Sequence, residues 1–249
     1  MRRGNEKSVT DIERILRTLK RRFPNPGAME LGDPYRTVVG VVLSARTRDE
    51  QVLKLLPGLF EAFPTMGALS KAAVAEIAAK INTIGMYRQK AKNLSGLAKR
   101  CVEVHGGLVP STMDELVDLP GVGRKTASVV VASCFGTPSI AVDTHVHRVT
   151  NRLGWVKTKT PQKTEVALLR IVPTKVMRLV NQVFVKIGRY VCIPGKPRCW
   201  MCPVQKDCAF KKKNLVAPKD ADAIVADIAR REHDLEKQRL AVAYGKHRS

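Results

Sequence analysis

Long apolar runs are missing from this chain. The longest, Thr37–Ala45 (TVVGVVLSA), is too short to span a bilayer. No apolar stretch follows Met1-Arg2-Arg3, where GNEKS stands in place of a secretory signal. These absences speak against a membrane partner and predict a cytoplasmic protein. Period-2 alternation is almost absent as well, which removes the signal of half-buried strands and predicts an all-α fold. Acidic residues are scarce: 22 Asp and Glu stand against 44 Lys and Arg, a formal net charge of +22 over 249 residues. So large an excess repels itself and suits a polyanionic partner, most simply nucleic acid. With 44% hydrophobic residues the chain can still bury a full core, as one large domain or two small ones.

What is present concentrates between Leu119 and Val146, LPGVGRKTASVVVASCFGTPSIAVDTHV. Gly121 and Gly123 flank one valine, and Arg124-Lys125 follow at once. Glycine at both ends of a tight hairpin lets backbone N–H groups approach an anion with no Cβ in the way. A helix starting at Arg124 aims its positive end at the same anion. The stretch reads as a helix-hairpin-helix phosphate grip with Lys125 at the mouth of its second helix. A P-loop fails because Arg124 stands where its second glycine belongs. A dinucleotide fingerprint fails because MDELVDLP reads as helix and Thr126 replaces a small residue. The plain alternative is a helix start that happens to hold GVG.

Helical periodicity covers the rest. In SVTDIERILRTLKRRF, Thr10 with Glu13 suggests a capping box, and Ile12, Ile15, Leu16, Leu19 and Phe23 share a face. Asp33-Pro34 starts a helix that is apolar all round from Val38 to Ala45 and gives way to the polar turn Ser44–Gln51. Further helices are expected over Val52–Phe63 and Lys71–Ile81; then Gly85, a short turn and a long basic helix with Lys90, Lys92, Lys99 and Arg100 resemble a looser hairpin unit, or equally a surface helix with solvated lysines. Thr112 caps the first hairpin helix. After Asp143 come three more, THVHRVTNRL, Pro161–Ile171 and Lys175–Val191, then a thin amphipathic pattern over Asp220–Ala243. Asp143 is read two ways, as an acidic partner in chemistry and as an N-cap, and one carboxylate can serve both. His145 and His147, two apart on a helix, point away from each other, so a metal pair is not expected; His145 is taken as DNA-facing.

Cys192, Cys199, Cys202 and Cys208 are spaced C-x6-C-x2-C-x5-C. Four thiolates in one short loop can hold a tetrahedral zinc or a four-iron cluster. Zinc ribbons use two separated CxxC knuckles and this loop has one, which favours iron–sulfur and leaves zinc as the alternative. Lys196 and Arg198, inside the six-residue gap, would form a basic finger toward phosphate. Cys101 and Cys134 lie in apolar helical settings and read as core.

These three features, LPGVGRKTA, AVDTHVHRV and the cysteine spacing, occur in order from about Asp33 to Cys208, and together they resemble the endonuclease III family of DNA repair glycosylases. The resemblance implies a two-domain helix-hairpin-helix fold: a helical barrel at 24-136, an iron-sulfur domain from 1-23 plus 137-214, and a basic extension at 215-249 with no counterpart. It implies a monomer that excises oxidised pyrimidines from damaged duplex DNA and nicks the abasic strand by β-elimination. Lys125 takes the nucleophile's role, Asp143 the acidic partner's, and the four cysteines become ligands of a [4Fe-4S] cluster. Arg46, where the family commonly has glutamine, and Met86, where it commonly has leucine, would fill the gap left by the flipped nucleotide. The hairpin carbonyls around Leu119–Val122 would hold a monovalent cation. Two competitors stay open. A monofunctional adenine or mismatch-thymine/uracil glycosylase generally lacks the hairpin lysine, and the adenine enzymes use a glutamate that VVGVVLSA does not have. A non-enzymatic DNA-binding or redox-sensing protein would need neither Lys125 nor Asp143.

Overall fold

A computed structural model describes residues 8–245 of the chain, and Met1-Arg2-Arg3 lies outside the described residues. Among the described residues there are twelve α-helices, three short 3-10 turns and no strand. The chain divides into two compact units: the part up to Pro26 with Pro138–Ala229, and Gly27–Thr137 with the part from Arg230 on. No described helix is long and apolar enough to cross a membrane.

The Gly27–Thr137 unit holds α2 (Pro34–Ser44), α3 (Asp49–Ala62), α4 (Met66–Lys71), α5 (Val74–Lys80), α6 (Tyr87–His105), α7 (Met113–Val117) and α8 (Arg124–Cys134). Asp33 caps α2, its carboxylate accepting from Arg36 N at 2.8 Å, and Pro34 takes the first-turn place where its missing N–H is harmless. Every residue from Thr37 to Leu43 is buried, so α2 is the unit's central rod, with α8 against it. Gly40 is required there: a Cβ would stand 2.9 Å from Leu31 Cδ1. One expected helix, Lys71–Ile81, is broken at Ala72-Ala73 into α4 and α5.

The other unit is built from α1 (Val9–Arg22), α9 (Thr144–Leu153), α10 (Pro161–Ile171) and α11 (Met177–Tyr190), followed by the cysteine segment. Ile12, Ile15, Leu16, Leu19 and Phe23 are all buried, as their shared face requires. The cap of α1 is corrected: Ser8, two residues earlier than Thr10, accepts from Asp11 N and leaves Thr10 inside the first turn. At roughly 1.5–3 kcal/mol for each fully buried large apolar side chain, that face outweighs any cap.

The last stretch is more than a basic tail. It forms α12 (Ala221–Tyr244), whose Ile228 is buried in the core of the cysteine unit and whose Leu235 and Val242 are buried in the core of the hairpin unit. Arg239 is only 6% exposed; it pairs with Glu236 at 2.7 Å and donates to Glu30 O at 2.8 Å. Arg36 donates to Val242 O and Ala243 O. These bonds explain how a helix with a thin apolar face is held.

Candidate functional site

The hairpin is fixed by burial on both sides of its turn. Leu116, Leu119 and Val122 enter the core from α7 and the loop, Ala127, Val130 and Val131 from α8. Val122 N donates to Leu119 O at 3.0 Å and closes the bend. The two glycines do different work. Gly121 has φ +78 and faces Asn93, whose side chain would stand 2.8 Å from an added Cβ. Gly123, the N-cap of α8, has φ −90 and open space where its Cβ would be. Nothing inside the chain demands glycine there, so the room is left for an approaching group. The first-turn N–H groups of α8 have no partner within the helix and converge on that opening. Arg124 and Lys125 are exposed beside it.

Two other turns of the same unit carry residues singled out in the sequence. Arg46 is exposed at φ +55, and Met86, the N-cap of α6, is 56% exposed at φ +58. They are the two non-glycine residues with positive φ among those described, at a cost of about 1–3 kcal/mol each. Lys90, one turn into α6, is buried, which sets aside the solvated reading for it; Lys92, Lys99 and Arg100 are exposed. Its ammonium donates to Leu43 O at 2.8 Å and to Thr47 Oγ1, and burial pushes its pKa down.

Asp143 belongs to the other unit, so Lys125 and Asp143 are carried on separate bodies. Its carboxylate accepts from His145 N at 2.9 Å and Val146 N at 2.8 Å, which makes it the N-cap of α9. That helix holds Asp143 by geometry, and its positive end favours the anion. His145 is half-buried, its Cβ 2.7 Å from where one on Gly188 would be, and its Nδ1 accepts from Arg148 at 3.1 Å. Burial lowers its pKa; nearby Asp143 opposes this while Arg148 and Arg189 add to it. His147 instead meets Thr164 Oγ1 at 2.6 Å, so the two histidines do point apart.

Cys192, Cys199, Cys202 and Cys208 line one cavity with apolar side chains that include Leu153 and Ile187. A bare thiolate is uncomfortable at Cys202, where burial first and then the other three cysteines push the thiol up to about 12. Four thiolates shut in together call for a positive core among them. Among the described residues no group of three or more His, Cys, Asp or Glu that could hold a metal ion is found. Four cysteines lining one cavity form a donor set that fits either an iron-sulfur cluster or a zinc.

Two arginines escaped notice in the sequence. Arg148 Nε donates to Cys192 O at 2.9 Å and Arg152 Nη1 to Ile193 O at 2.8 Å and Cys192 Sγ at 3.4 Å. Their four-residue spacing on α9 was the available signal, but an Arg-x3-Arg face reads equally as solvated charge. Lys196 is exposed, while Arg198 turns inward to donate to Tyr190 O at 2.9 Å and closes the loop on itself.

Comparison with known proteins adds three findings. Residues 39–174 match the profile of the HhH-GPD superfamily base excision DNA repair proteins. Endonuclease III of Thermotoga maritima is 43% identical over 202 residues, 81% of this chain and 94% of that protein. The fold is similar to a solved trapped covalent intermediate of endonuclease III with DNA, at TM-score 0.74 and 36% identity over 82% of this chain and 96% of that one. It is also similar to a thermostable thymine-DNA glycosylase, at TM-score 0.71 and 28% identity over 81% and 94% of the two chains.

Proposed function

Because the chain belongs to the endonuclease III family of the HhH-GPD superfamily, we propose that it is a base-excision-repair DNA glycosylase with AP lyase activity, acting as a monomer on oxidised pyrimidines in duplex DNA. The placement of Lys125 carries this reading: an exposed amine in the first turn of α8, directly after a hairpin with open space at Gly123.

The target base must first leave the stack, at a cost of a few kcal/mol. The α8 N-terminus and Arg124 hold a backbone phosphate, Lys196 and the basic surface hold others, and Arg46 and Met86 occupy the vacated space. The Lys125 amine attacks C1′ as the N-glycosidic bond breaks, and the base departs with the bonding pair and takes up a proton. The ring opens to a Schiff base between Lys125 and the sugar. Loss of the C2′ proton then expels the 3′ phosphate, which nicks the strand. The Asp143 carboxylate supports the positive charge that grows on the sugar and can accept a proton.

The four cysteines would hold a [4Fe-4S] cluster, supported by their shared cavity and the mutual cost of their burial. Bound there, it would hold the 192–208 loop that presents Lys196. A monovalent cation at the Leu119–Val122 carbonyls belongs to the same reading.

Borohydride reduction with damaged duplex tests the reading. A covalent protein–DNA adduct is expected, absent in Lys125→Ala. Base release without an adduct would mean a monofunctional enzyme instead, for which the weaker likeness to a thymine-DNA glycosylase speaks. Binding with no release would mean a non-enzymatic DNA-binding protein.

A further inference from the structure

Arg46 and Met86 sit on different helices' ends, yet one side chain touches the framework of both. Ser44, Ala45, Arg46 and Thr47 form a turn closed by Thr47 N donating to Ser44 O at 3.0 Å. Ala45 has φ −57 and ψ 116 and Arg46 has φ +55, which is a type II turn with arginine in the place glycine usually takes. Met86 occupies the left-handed start of α6, and Lys90 N donates to Met86 O at 3.0 Å in the helix's first turn. Glycine would relax either backbone and remove the side chain that matters.

Lys90 reaches from α6 into α2. Its ammonium meets the Leu43 carbonyl, among the last four of α2 that no helical N–H can reach, and the Thr47 hydroxyl on the far side of Arg46. The cation therefore brackets the Arg46 turn from one residue after it to three before it. The negative end of the α2 dipole explains how a buried ammonium is tolerated there.

We infer that Lys90 is a positioning residue for lesion extrusion: it locks the Arg46 turn to the start of α6, so that Arg46 and Met86 enter the duplex gap as one preset wedge. This rests on the reading of Arg46 and Met86 as gap fillers. Lys90 touches no substrate in this scheme and acts through the two turns.

The test separates extrusion from chemistry. Lys90→Met removes the charge at nearly constant shape; Thr47→Val removes one acceptor and is the milder second variant should the first fold poorly. Each is assayed by single-turnover excision of an oxidised pyrimidine from duplex, by lyase cleavage of a preformed abasic site, and by 2-aminopurine fluorescence beside the lesion. Excision and the 2-aminopurine rise should fall about tenfold in Lys90→Met, and less in Thr47→Val, because unstacking loses its wedge. Cleavage of the abasic site should stay within about twofold, since no base must be unstacked. In double variants with Arg46→Ala or Met86→Ala, the Lys90→Met loss should largely vanish, because the residues act as a unit. Equal losses on both substrates, or strictly additive losses, would make Lys90 a merely structural residue and overturn the inference. If Arg46→Ala and Met86→Ala alone leave excision and fluorescence unchanged, the gap-filling reading fails and takes this inference with it. If those two lose extrusion while Lys90→Met and Thr47→Val do not, only the role of Lys90 fails.

Discussion

The two units solve opposite problems. In the hairpin unit the candidate residues face outward from a body the chain completes by itself: Leu119, Val122 and Ala127 anchor the bend while Arg124, Lys125 and Met86 are exposed. In the cysteine unit the polar groups turn inward. Arg148, Arg152 and Arg198 spend their guanidinium hydrogens on backbone carbonyls of Tyr190, Cys192 and Ile193, near Cys202 and Cys208, whose thiols burial holds above their ordinary pKa. One region is ready before anything binds. The other, on the proposed reading, is organised around a cluster held by its four cysteines.

Removing that group should break the comparison most visibly. Cys202→Ala, or oxidative loss of the cluster, should abolish hydrogen-exchange protection in α9 and α11 while α2, α6 and α8 keep theirs. Uniform loss across both units would show that they do not differ in this way. Next in size is the carboxylate. Asp143→Asn should lower base excision by roughly 10²–10⁴-fold at an almost unchanged melting temperature, since asparagine caps helices as well as aspartate. Asp143→Ala should lose the activity and also about 1 kcal/mol of stability. Equal melting losses in both would reduce Asp143 to a cap.

The glycines sharpen the contrast within the hairpin itself. Gly121→Ala should cost about 1–3 kcal/mol in urea unfolding, from its left-handed backbone and the clash with Asn93. Gly123→Ala should leave stability within about 0.5 kcal/mol, yet weaken DNA binding about tenfold, as a Cβ obstructs one charge-assisted hydrogen bond. The smallest effect concerns His145. Burial holds its imidazole below the ordinary 6.5, so the fold favours the neutral ring. Its contribution is whole above pH 6.5 and is lost as pH falls through the depressed folded value. The stability difference between the wild type and His145→Gln, measured at pH 7.5 and 5.5, should shrink or reverse at the lower pH.

Much of the fold was readable from local chemistry. Asp33, Thr112, Asp143 and Gly154 mark helix ends where capping residues are expected, and the hairpin bend follows from two glycines around a valine. The four cysteines announced a shared site by spacing alone. What stayed hidden depends on partners far along the chain. Lys90 looked like its neighbours Lys92 and Lys99, and only the end of α2, more than 40 residues earlier, decides that it is buried. Arg148 and Arg152 likewise answer to carbonyls 40 or more residues later. Hydrogen bonds to backbone carry no residue-type signature at the accepting end, so no pattern of side chains could reveal them. The Ser8 cap was obscured by a competing motif two residues on.

The last helix has a practical side. A fragment ending before Ala221 would lose Leu235 and Val242 from the core and strip Arg36 of two acceptors and Glu30 O of its donor Arg239. Such a fragment should be recovered chiefly from inclusion bodies, and affinity tags on this protein belong at its beginning.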